Sequence, residues 1–228
     1  MVFHFAREAL AARRLGSSVD LRRRGQTLAA ERVQAEGDFF APLDADLVQP
    51  RPPGSSRAAI DPAPGQAVSV AVLFVCTANI CRSAMAEGVL LGMARDAGLA
   101  AAITVDSAGT FGGYVSCPPA PLAISAAARR GYDISALRAR QVEPADIARF
   151  DLVLAMDRCH LADLRWMASR AHFDRLQLFT KFVPCAGAPD VADPYGGPPA
   201  EYERALDVIE AGCAGLLGSL APLVGKAA

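Results

Sequence analysis

Residues 70–88 read VAVLFVCTANICRSAMAEG. The run 70–75 is apolar without a break and includes Val and Phe, which suits a strand covered on both faces. A loop over 76–82 follows, and Ala84, Met85 and Ala86 predict a helix from about Ser83, with Ser83 as its N-cap. A loop that ends at a helix N-terminus gathers backbone N–H groups around one point and favours an anion there. The same field favours the thiolate form of a cysteine at the loop's start, here Cys76. Arg82, at its end, offers a planar fork for two phosphate oxygens. Cys-x5-Arg by itself is a weak pattern, since Cys76 could equally be a small core residue at a strand end. Strand, loop, Ser83 and helix in that order make it a candidate thiolate-based phosphate site.

The chain has 228 residues, enough for one well-buried domain and an appendage. A net charge of −1 gives no electrostatic reason to expect nucleic acid or an anionic membrane as partner. No uninterrupted apolar run approaches the ~18 residues of a membrane span. Six cysteines, at 76, 81, 117, 159, 185 and 213, form neither a dense framework nor a paired metal set. Reduced thiols and a cytoplasmic address follow as the expectation.

Residues 1–48 are rich in Ala and Arg, with a candidate amphipathic helix over 3–15 and a basic cluster at Arg22, Arg23 and Arg24. They read as an extension, partly helical or disordered, with a solvated face preferred over a docking segment. Residues 49–67 are a Pro/Gly/Ser-rich linker. The domain proper is assigned to 68–228. Its elements are predicted as helix 83–97 closed by Gly98, strand 103–106, a loop to Pro121, helix 122–130, short helix 144–150, strand 152–156, helix 160–170, strand 176–180 and a long helix 201–220. Strands alternating with helices predict a small four-stranded parallel sheet with helices on both faces, binding its ligand at the strands' carboxyl ends.

The motif CTANICRSAMAEG resembles the phosphate loop of low-molecular-weight protein tyrosine phosphatases, including Asn79 and the second cysteine, Cys81. Residues 106–110, DSAGT, and 193–195, DPY, fit the same family in the same order. The resemblance runs from about residue 68 to the C-terminus and leaves the first third of the chain uncovered. No methionine lies between Met1 and Met85, so a start at Val68 or Val70 is an alternative origin for the extension. The resemblance implies a four-stranded parallel fold and hydrolysis of phosphotyrosine without a cofactor or metal. In it Cys76 is the nucleophile, Arg82 and the amides of Thr77, Ala78, Asn79, Ile80, Cys81 and Arg82 hold the phosphoryl oxygens, and Asp193 is the general acid and base. Ser83 would donate to the departing thiolate. Tyr114 and Tyr195 would flank the substrate ring, while Thr77 and Ala78 would tune peptide preference. Cys81 would protect Cys76 as a reversible disulfide, against the plainer reading of a packed thiol. The implied partner is a phosphotyrosine protein, such as a bacterial tyrosine kinase of polysaccharide export. Leu137 departs from the pattern, standing where the family often carries a histidine that bonds into the Asn79–Ser107 network. A somewhat less rigid loop is the expectation. Asp106 and Arg140 are a candidate supporting pair.

Two rivals keep the loop but change its use. A thioredoxin-coupled arsenate reductase needs two further cysteines about seven apart, and the seventh residue after Cys159 is Trp166. A phosphate-binding module without turnover would lack nucleophile or acid. No GxxxxGK[ST] motif is present. His4, His160 and His172 show no metal or triad spacing, so they are assigned to surface or helix-face positions.

Overall fold

The computed structural model describes residues 69–184, 187 and 189–224. The extension and linker assigned to 1–67 lie outside them, as does Cys185.

Four strands form one parallel sheet in the order β2-β1-β3-β4: β1 (Val70–Cys76), β2 (Ile103–Gly109), β3 (Leu152–Ala155) and β4 (Leu176–Leu178). Every residue of β1 is buried, as a strand flanked on both edges and covered on both faces requires. Its side chains divide by parity. Val70, Val72, Phe74 and Cys76 join one core, and Ala71, Leu73 and Val75 join the other.

The first core lies against α1 (Arg82–Asp96), α2 (Pro121–Arg129) and α5 (Pro199–Val224). The second lies against α3 (Pro144–Arg149) and α4 (Arg158–Met167). Helix α5 places Leu206, Ile209, Cys213, Leu216 and Leu220 in the first core. Among the described residues it is the one helix long and apolar enough to cross a membrane by composition, with mean hydropathy 1.4. Glu203, Asp207 and Glu210 break it into short apolar runs along the sequence. Those acids pair with Arg129 of α2 and with Arg130, which caps it, and the apolar stripe is occupied by the core.

Boundaries differ from expectation where hydrogen bonds continue beyond the sequence signal. β2 extends through Ser107, Ala108 and Gly109, because Cys76 pairs with Gly109. Ser83 is inside α1 rather than capping it; Cys81 occupies the cap position, without a side-chain cap bond. Short 3-10 segments at Gly112–Tyr114, Arg170–Arg175 and Phe179–Phe182 replace predicted loop, helix end and strand end. Gly98 and Gly131 both take positive φ just past the helices they close, 72° and 87°.

Strand order puts β2 on one side of β1 and β3 on the other. The chain reverses direction across the sheet between them, which opens a crevice at the carboxyl ends of β1 and β3. Cys76 ends β1, and Asp157 follows β3 by two residues.

Candidate active site

Loop 76–82 is held from outside by its carbonyls. Cys76 O accepts from Thr110 N at 2.9 Å, Thr77 O from Phe111 N at 2.8 Å and Ile80 O from Ala120 N at 2.8 Å. In a planar trans peptide the following N–H points opposite to the carbonyl. Carbonyls turned outward therefore turn the N–H groups of Thr77, Ala78 and Cys81 toward the loop's interior. Asn79 makes the bend at φ 57°, a left-handed conformation that Asn tolerates better than most residues. Gly109 lies directly behind: a Cβ there would sit 2.7 Å from Thr77 O and 3.0 Å from Asn79 N. This close approach explains why DSAG needs its glycine.

Asn79 is buried and fully employed. Its Oδ1 accepts from Arg140 N at 2.9 Å, while Nδ2 donates to Ser83 Oγ at 3.0 Å and Ser107 Oγ at 2.7 Å. Ser107 Oγ donates to Glu87 Oε2 at 2.5 Å. The network thus continues to Glu87, where a histidine at position 137 was the expected partner. Leu137 packs against the first core, and both side-chain groups of Asn79 are hydrogen-bonded without it. Burial raises the Glu87 carboxyl from 4.5 to about 7, against the opposing hydrogen bond from Ser107. Arg140 pairs with Asp106 at 2.9 Å, as anticipated, and also with Asp146 of α3 at 2.8 Å.

Ser83 Oγ lies 3.0 Å from Cys76 Sγ and 3.3 Å from Ala108 O. With Asn79 donating to it, the hydroxyl keeps its one proton for the sulfur or for that carbonyl. A thiolate is the stronger attractor. Cys81 is buried and free like Cys76, and burial, then the Cys76 charge, push its thiol up to about 12. Its protonated thiol form is thereby favoured.

Arg82 is 3% exposed and reaches four acceptors. Nη1 donates to Asp157 Oδ2 at 3.0 Å and Val191 O at 3.2 Å; Nη2 donates to Asp193 Oδ2 at 2.9 Å and Thr77 Oγ1 at 3.2 Å. Nε is buried and without a partner. Burial opposes the guanidinium charge, but Asp193, Cys76 and Asp157 outweigh it, so the Arg82 pKa is raised. Asp157 caps α4 through His160 N at 2.9 Å. Although burial acts the other way, His160 and Arg82 hold its carboxyl well below the usual range.

The structure thus brings Cys76, Arg82, Ser83 and Asp193 together and adds Asp157 and His160. His160 lies on the buried face of α4 rather than at the surface, with Nε2 2.9 Å from Thr77 Oγ1. Sequence spacing carries no signal for either residue. The position of Asp157 just past a strand adjacent to β1 does, once strand order is known.

Tyr114 and Tyr195 meet at the mouth, hydroxyls 3.4 Å apart and rings crossing at 71°. That hydrogen bond, then burial, pushes Tyr195 up to about 12. Phe111, exposed and edge-on to Tyr114 at 6.3 Å, extends the row and was not anticipated.

Comparison with known proteins agrees with this geometry. The family model described as low molecular weight phosphotyrosine protein phosphatase matches residues 71–224. A low molecular weight protein-tyrosine-phosphatase of Streptomyces coelicolor is 38% identical, over 69% of this chain and 98% of its own. YfkJ of Bacillus subtilis, of the same description, is 35% identical over 66% of this chain and 96% of its own. The crystal structure of a protein tyrosine phosphatase from Entamoeba histolytica matches at TM-score 0.65 and 28% identity, covering 68% of this chain and 98% of that one.

Proposed function

The chain belongs to the low molecular weight phosphotyrosine protein phosphatases, cysteine-dependent enzymes, and from that premise we propose that it hydrolyses protein phosphotyrosine through a phosphocysteine on Cys76. The observation that carries the reading is Arg82: a buried guanidinium with an unpartnered Nε, at the end of a loop whose amides turn inward. An oxyanion in the loop would satisfy both.

Phosphate monoesters resist attack because the nucleophile must approach an already anionic phosphoryl group. Here Arg82 and the amides of residues 77–82 neutralise the three equatorial oxygens. The Cys76 thiolate attacks in line, the S–P bond forms and the P–O bond to the phenol breaks. Asp193 delivers a proton to the departing oxygen. A phosphoryl group arriving on Arg82 replaces Asp193 Oδ2 and frees this carboxylate, which takes up a proton from solvent or from the incoming phosphate monoester and then reaches the leaving group. In the second step the Asp193 carboxylate takes a proton from water as that water attacks phosphorus. The S–P bond breaks, and the Ser83 hydroxyl supports the returning thiolate. None of these steps calls for a metal.

Tyr114 and Tyr195 form the wall against which an aromatic leaving group would stack. Phosphotyrosine proteins are the substrate class, and a tyrosine kinase of polysaccharide export is one candidate partner. Cys81, buried and free like Cys76, would trap an oxidised Cys76 as a disulfide. A cytoplasmic address suits the free thiols Cys76, Cys81 and Cys213. Hydrolysis of a phosphotyrosine peptide, lost in Asp193→Ala but restored in part when the leaving group is a more acidic phenol, tests the assigned roles.

A further inference from the structure

His160 stands outside the mechanism just described, yet both of its ring nitrogens face the machinery. Nδ1 lies 2.9 Å from Asp157 Oδ1, an ion-pair approach too bent to count as an aligned hydrogen bond. A carboxylate can only accept, so Nδ1 is the nitrogen that carries hydrogen. Nε2, 2.9 Å from Thr77 Oγ1, then has two states that differ by one proton. In the neutral ring Nε2 accepts, and the Thr77 hydroxyl donates to it. In the imidazolium Nε2–H donates, and the Thr77 oxygen accepts.

Thr77 Oγ1 also accepts from Arg82 Nη2 at 3.2 Å. A hydroxyl has two acceptor positions and one hydrogen. Once Arg82 and a charged His160 fill both acceptor positions, the hydrogen must point away from them. Thr77 is the first residue of the phosphate loop after Cys76, and Arg82, which its hydroxyl touches, is the assigned phosphate binder; a phosphoryl oxygen on Arg82 is the acceptor we assign to the freed hydrogen. The charged groups linked to the ring are Asp157 on its own helix, Arg82 from α1 bound to that same carboxylate, and Asp193 and Cys76, both of which act on Arg82. A phosphoryl dianion in the loop would add negative charge to this set.

We propose that His160 is a positioning residue: it takes up a proton when phosphate occupies the loop and thereby turns the Thr77 hydroxyl from His160 to the phosphoryl group. The proton comes from solvent and leaves with the product. Thr77 then binds phosphate with its side chain as well as its amide. The inference rests on the phosphatase reading of the loop.

The test is nitrogen NMR of the His-labelled full chain at constant pH 7, with and without saturating inorganic phosphate. His160 is identified among the three histidines by its loss in His160→Gln. Phosphate should convert Nε2 from an acceptor to a protonated nitrogen. Thr77→Val should abolish that conversion and weaken phosphate binding about ten-fold or more, while Thr77→Ser retains both. A thermal melt of each variant separates misfolding from loss of the hydroxyl. An Nε2 already protonated without phosphate, or unprotonated while the loop amides report saturation, overturns the coupling. Loop amides that do not respond to phosphate at all would remove the phosphatase reading, and the proposal with it.

Discussion

Arg82 Nη2 and Asp193 Oδ2 stand 2.9 Å apart across 111 residues of chain. The proposed phosphate binder and the proposed proton donor therefore hold one another, and under that proposal the substrate must separate them. Asp193→Asn keeps the shape but cannot donate a carboxyl proton. We expect its kcat on a phosphotyrosine peptide to fall about a hundred-fold or more, with a smaller loss on a more acidic phenol. An equal loss on both substrates would count against proton donation.

Gly109 and the loop share space that a methyl group would need. Gly109→Ala should push Thr77 O and Asn79 N out of place, lowering kcat/KM far more than the melting temperature. An alanine variant with wild-type kinetics would show that the close approach is dispensable.

Glu87 makes stability depend on pH. Its carboxyl titrates near 4.5 when unfolded and at about 7 when folded, so between those values the folded chain binds a proton that the unfolded chain has lost. Stability from this group is therefore greatest at low pH and declines as pH rises through that window, by on the order of 3 kcal/mol. Glu87→Gln keeps an acceptor for Ser107 and should flatten the decline in urea unfolding between pH 5 and 8. Parallel curves for the two proteins would reject the assignment.

Cys81 is expected to spare Cys76 from peroxide. Brief oxidation should lower the intact mass by two hydrogens and silence activity until a thiol reductant is added. Cys81→Ser should instead lose activity irreversibly. If both proteins recover equally, Cys81 only packs.

Much of this site could be read from the chain because its parts are contiguous. The apolar run of β1, the Cys76–Arg82 loop and the helix behind it interact locally, and local order is what spacing records. Asp193 became legible through its DPY context. Asp157 and His160 did not, because parallel strand order brings them to the loop from 75 and more residues away. Ser83 was misjudged as a cap because the helix begins one residue earlier, at Arg82, while its contact with the Cys76 sulfur is the one the family resemblance implied. Glu87 carries no sequence signal of its own, because its partner Ser107 arrives from β2.

The most direct test of the account is metal-free hydrolysis of p-nitrophenyl phosphate by wild type, Cys76→Ser and Asp193→Ala. We expect turnover by the wild type, none by Cys76→Ser and a strongly reduced rate for Asp193→Ala. A folded, reduced wild type without activity, or a Cys76→Ser variant that retains it, would contradict thiolate catalysis at this loop.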